Sequence, residues 1–137
     1  MSFAADLAKF PSATSVTVNS EGGSATTNLQ QGLCKAWVFF DTDTGADIND
    51  SLNISSLTDE NLGRTTGSWT NSFGNANYSG VPHGPAGGTA HTTFGTQVTT
   101  IFGSRTTTAF GMSTYSETAT AYKDSNVNDL VVFGDLA

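Results

Sequence analysis

Three carboxylates, Asp41, Asp43 and Asp47, gather around Gly45 in the segment DTDTGAD. Oxygen-rich loops of this kind hold calcium, so these three are the candidate metal ligands. The EF-hand pattern is not met, because Gly45 stands where a ligand belongs and no Glu closes the loop. The same composition suits a plain acidic hairpin turn, since Asp side chains bond to backbone N–H groups there. As a pair for glycoside hydrolysis the three are poorly arranged: that reaction sets two carboxyls across a cleft.

His83 and His91, eight residues apart around the Gly/Pro-rich loop, could bind a metal, shared across a symmetry axis in an oligomer, but no HxH, HExxH or Cys–His spacing supports this, and solvent-exposed or packed histidines are the default. No GxSxG elbow and no GK[ST] phosphate loop occur. Trp69, Tyr78, Tyr115 and Tyr122 are candidate glycan contacts, because aromatic faces stack on sugar rings where they are exposed. The competing reading puts them in the core or a subunit interface. No catalytic grammar is visible and no cofactor is called for. The expectation is a protein that is not an enzyme.

The elements that must position these groups read as β-structure. Leu33, Ala36, Trp37, Val38, Phe39 and Phe40 form the densest apolar run, which predicts a buried strand leading into a hairpin. Ile48, Leu52, Ile54 and Leu57 follow, interleaved with Asp, Asn and Ser. Further strands are expected at 15–19, at 65–73 with Trp69 as its core residue, at 78–81 broken by Pro82, in three Thr-rich stretches from 91 to 122, and at Leu130–Phe133. The segment 82–90 reads as a surface loop. Residues 2–9 suit a short helix with Phe3, Leu7 and Phe10 as apolar anchors, ended by Pro11 and too short to stand alone.

About seven to nine strands at intervals of roughly 8–12 residues give the pattern of an antiparallel β-sandwich, jelly-roll-like, with a short N-terminal arm or helix. The predicted division is an arm over 1–24 and the sandwich over 25–137. Charged residues are only 12% of the chain, with Thr, Ser and Gly in their place, as strand faces and turns prefer. Five basic against twelve acidic residues, a formal charge of −7, disfavour a phosphate-tracking groove and anionic membranes. No apolar stretch approaches the length of a membrane span, and residues 1–10 lack the basic and apolar regions of a signal peptide, so synthesis in the cytoplasm is expected. Cys34 is the single cysteine, and its apolar setting predicts a buried structural thiol.

TTNLQQGLCKAWVFF (26–40) followed by DSLNISSLTDENLG (50–63) resembles a recurrent domain in virion proteins of tailed bacteriophages, frequent in phages of marine and cyanobacterial hosts. Ala76-Asn77-Tyr78 matches that domain's "ANY" step, and Val131 to Leu136 its closing VxVFGD. The landmarks run in order from residue 26 to the C-terminus. The DTDTGAD turn and the PHGPAGG loop depart from the common pattern. The resemblance implies a β-rich, commonly trimeric appendage located in the virion: a tail-fibre or host-recognition tip, a head fibre, or a capsid decoration. The implied partners are copies of itself, a capsid or baseplate protein held by the N-terminal arm, and a host surface glycan, with no nucleic acid and no membrane insertion. Phe94, Phe102 and Phe110 are expected at the subunit interface, beside the anchors Phe3, Leu7 and Phe10. A stand-alone carbohydrate- or calcium-binding β-module is the alternative.

Overall fold

The computed structural model describes residues 17–19, 26–84, 98–116 and 120–137, and the chain divides into two compact units, Met1–Leu33 and Cys34–Ala137. In the first unit β1 (Thr17–Asn19) pairs antiparallel with β2 (Thr26–Asn28), and one helical turn, α1 (Leu29–Gly32), follows. The predicted helix at 2–9 lies outside the described residues.

The second unit is all-β, a sandwich of two antiparallel sheets. The first sheet runs in the order β4 (Asp47–Leu52), β3 (Ala36–Asp41), β11 (Asn128–Phe133) and β7 (Ser79–His83). In the second, β9 (Ala109–Ser116) pairs on one side with β6 (Arg64–Trp69) and beyond it β5 (Ile54–Asn61). Its other side takes β8 (Val98–Arg105), while β10 (Ala121–Tyr122) continues the row of β6.

Alternation along each strand makes the core. Ala36, Val38 and Phe40 of β3 and Leu130 and Val132 of β11 point inward, toward Trp69 of β6 and Phe110 and Met112 of β9. The apolar run 33–40 is therefore buried on one face only. Trp37 and Phe39 stand on the outer face, and Leu33 is exposed, because a strand sends successive side chains to opposite sides. Phe73 and Tyr78 enter the core from the connection between β6 and β7. With Trp69 and Phe110 they form one aromatic cluster, ring centroids 4.4–5.5 Å apart. Each ring of that size contributes roughly 2–3 kcal/mol when fully buried.

Two turns decide where β5 and β6 lie. Asn53, at φ 61°, carries the chain from β4 in one sheet to β5 in the other. Its side-chain oxygen accepts the Asn71 N–H at 2.6 Å, which fixes that corner. Gly63, at φ 63°, closes the β5–β6 hairpin, and a side chain there would stand 2.5 Å from the Thr114 carbonyl. Pro82 lies inside β7 instead of ending it, paired in register with Leu130. An edge strand tolerates this, since the missing N–H falls on the unpaired side.

Candidate functional site

Along β6 and β9, the residues that alternate with the core side chains face outward: Arg64, Thr66 and Ser68, and Gly111, Ser113 and Tyr115. Register sets Arg64 beside Ser113 and Thr66 beside Gly111. A β-bulge in β8 between Phe102 and Arg105 brings Gly103 and Ser104 against the same spot. The result is an open groove of about 230 Å³ on the outer face of the second sheet, lined chiefly by Glu60, Arg64, Thr66, Ser104 and Ser113. That volume lies below the roughly 300 Å³ at which pockets for drug-sized ligands begin, so the groove suits one small ring or a chain end.

Its polar groups are held in place. The Thr66 hydroxyl donates to Glu60 Oε1 at 2.5 Å, so one carboxylate oxygen is oriented and the other is left to accept from a ligand. The Arg64 guanidinium lies 4.4 Å over the Tyr122 ring. Tyr122 pairs across the strands with Tyr115, and their rings meet edge to face at 5.4 Å. Stacking covers one face of the guanidinium and leaves its N–H edge free for hydrogen bonds. Within the groove the Arg64 guanidinium and the Glu60 carboxylate thus supply one donor and one acceptor, with Tyr122 behind Arg64 outside the lining. Among the described residues, Glu60 is the one carboxylate that lines the groove.

Of the four predicted glycan contacts, none lines this groove: Tyr122 lies against Arg64, Tyr115 packs on Tyr122, and the other two are in the core. Trp69 and Tyr78 are 6% and 2% exposed and belong to the core. The Tyr78 hydroxyl is shared between the carbonyls of Ala109 and Thr106, at 3.0 and 3.2 Å. Burial also raises its pKa above the ordinary phenol value. Phe110, expected at a subunit interface, is 1% exposed and stacks on Trp69, so no partner can reach it. Phe102 falls in β8, while Phe3, Leu7, Phe10, Phe94 and His91 lie outside the described residues.

The acidic turn is built for backbone contacts. Asp41 Oδ1 accepts the Asp43 N–H at 2.7 Å, and the Thr44 hydroxyl approaches Asp47 Oδ2 at 3.5 Å. Partial desolvation, with the nearby carboxylates of Asp41 and Asp124, raises the Asp43 pKa above its ordinary value. Among the described residues no three His, Cys, Asp or Glu side chains stand close enough to share a metal ion. His83 faces Asp129, Nδ1 to Oδ2 at 3.4 Å, across β7 and β11. Cys34 is half-buried instead of enclosed, its thiol donating to the Ala36 carbonyl at 3.0 Å.

Sequence reasoning missed Arg64 and Glu60, since neither belongs to a catalytic or ligand-binding motif and only register brings them together. It also missed a buried polar network at one end of the sandwich. There Asn128 Nδ2 donates to the Ser125 carbonyl at 2.7 Å, and Asn128 Oδ1 accepts from the Thr114 hydroxyl at 3.3 Å. Thr42 closes it, accepting the Ser125 N–H at 2.8 Å and donating back to the Ser125 carbonyl at 3.0 Å. No protein-family model, no curated protein and no solved structure matches the chain.

Proposed function

We propose that this chain is a structural protein of a tailed-bacteriophage virion, a small β-sandwich appendage fixed to the particle by residues 1–24 and assembled with copies of itself. The observation that carries the reading is where the resembling segments fall. The 26–40 run supplies β2, α1 and the core strand β3, and the 50–63 run supplies the passage from β4 into β5. The Ala76-Asn77-Tyr78 step delivers Tyr78 to the core, and the closing segment holds the second half of β11. Apart from β2 and α1 of the N-terminal unit, the resembling segments supply sandwich strands, whereas the departing DTDTGAD segment spans the turn between β3 and β4. Such a division is expected where one scaffold carries variable loops.

The test is location on purified virions with labelled antibody and electron microscopy. Label on the tail tip supports a host-recognition role, and label over the head supports a decoration or head fibre. Particles without label overturn the reading.

The groove beside Arg64 favours a second reading, a carbohydrate-binding module. Glycan-array binding by the isolated chain, weakened at least tenfold in both Arg64→Ala and Tyr122→Ala, is the result expected if the groove takes a sugar. Binding that survives both substitutions removes the groove from consideration.

A further inference from the structure

Glu60 and Arg64 line one groove, yet no ion pair joins them. Unlike charges that share a hollow attract each other. Here each is held elsewhere: Glu60 Oε1 takes the Thr66 hydroxyl, and the Arg64 guanidinium lies over the Tyr122 ring. Among the described residues nothing bonds to the second Glu60 oxygen, to the guanidinium edge, or to the hydroxyls of Ser104 and Ser113. The floor between them is kept low by glycine. Gly111, on the outward side of β9, adds no side chain, and a methyl group there would stand 3.2 Å from the Ser104 nitrogen.

We propose that this groove binds a sugar acid, a hydroxylated ring bearing one carboxylate, with the carboxylate on Arg64 and a ring hydroxyl on Glu60. The assignment rests on the carbohydrate reading of the groove and adds the class of sugar. A carboxylate is planar and matches two parallel N–H donors of a guanidinium, a fit that a neutral hydroxyl does not reproduce. Charge limits the ligand to one such group. Arg64 is one of five basic residues in a chain of net charge −7, and Glu60 lines the same hollow. A ligand with several negative charges is repelled there, whereas one carboxylate is offset by one guanidinium. The free Glu60 oxygen accepts from a hydroxyl and offers nothing to a second acid group. A volume of about 230 Å³ admits a single ring.

The test is a titration of the full chain with glucuronic acid, galacturonic acid, their neutral parents glucose and galactose, and acetate, each to roughly 50 mM. Amide chemical shifts in two-dimensional NMR read the binding, and unchanged signals away from the groove confirm the fold of the variant. The expected result is that at least one of the sugar acids moves the signals of Gly103, Gly111 and Ser113. Its dissociation constant is on the order of 1–10 mM, at least tenfold tighter than that of its neutral parent or of acetate. Arg64→Ala brings the acid down to the level of the neutral sugar.

A neutral sugar bound as tightly as its acid overturns the assignment and leaves the carbohydrate reading standing. Groove signals that no sugar moves overturn both. Acetate as tight as the sugar acid overturns the assignment by removing the ring from recognition. So does an Arg64→Ala chain that keeps the preference for the acid.

Discussion

Gly67 offers the sharpest check on the core. It lies opposite Phe110 in the β6–β9 register, and the Phe110 ring lies across it. A methyl group built there would overlap Phe110 Cζ and Cε1 and stand 2.8 Å from Leu57 Cδ2. On an open strand, Gly→Ala is worth up to about 1 kcal/mol of stabilisation through lost backbone freedom. Here the ring must move, and Trp69 stacks on it at 4.4 Å. Overpacking of a core costs about 1–3 kcal/mol, and a disturbed aromatic pair adds up to about 1 kcal/mol. The clash wins, and Gly67→Ala is expected to destabilise by roughly 1–3 kcal/mol, a fall in Tm of about 3–10 °C. Urea unfolding followed by tryptophan fluorescence reads it, since Trp69 lies within the disturbed cluster. In a Phe110→Leu background the smaller side chain makes room, and the same substitution costs less by about 1 kcal/mol or more. A Gly67→Ala protein as stable as the parent, or an equal cost in both backgrounds, refutes the packing argument.

Asn128→Leu removes the acceptor of the buried Thr114 hydroxyl and the amide held by Ser125, and is expected to cost about 2–3 kcal/mol in chemical denaturation. An unchanged midpoint would show that the network is not holding that end together. At Asp43 the folded-state pKa is raised, so ionisation opposes folding. The stability present below the ordinary value of 3.8 is lost as pH rises through the raised one. Asp43→Asn is therefore expected to raise Tm slightly near neutral pH, with the gain vanishing below 3.8. A gain that persists in acid would assign the effect to something other than charge.

The sequence by itself determined the class of fold and much of its core. Short alternating runs, Gly-rich turns and scarce charge cannot make long helices, and Val38, Phe40 and Trp69 were legible as apolar residues on strands. What it could not determine was the face on which each residue lands. A one-residue change of phase sends a side chain to the opposite side of a sheet. The run 33–40 therefore looked buried throughout, yet Trp37 and Phe39 stand outside. Tyr78 looked available to a ligand and Phe110 to a partner, yet both fill the core. Pairing between distant strands made the rest. Arg64 meets Tyr122, and Leu52 aligns with Val81, only because β9 and β11 bring together strands far apart in the chain. Local propensity carries no information about such long-range register; packing of the two sheets decides it.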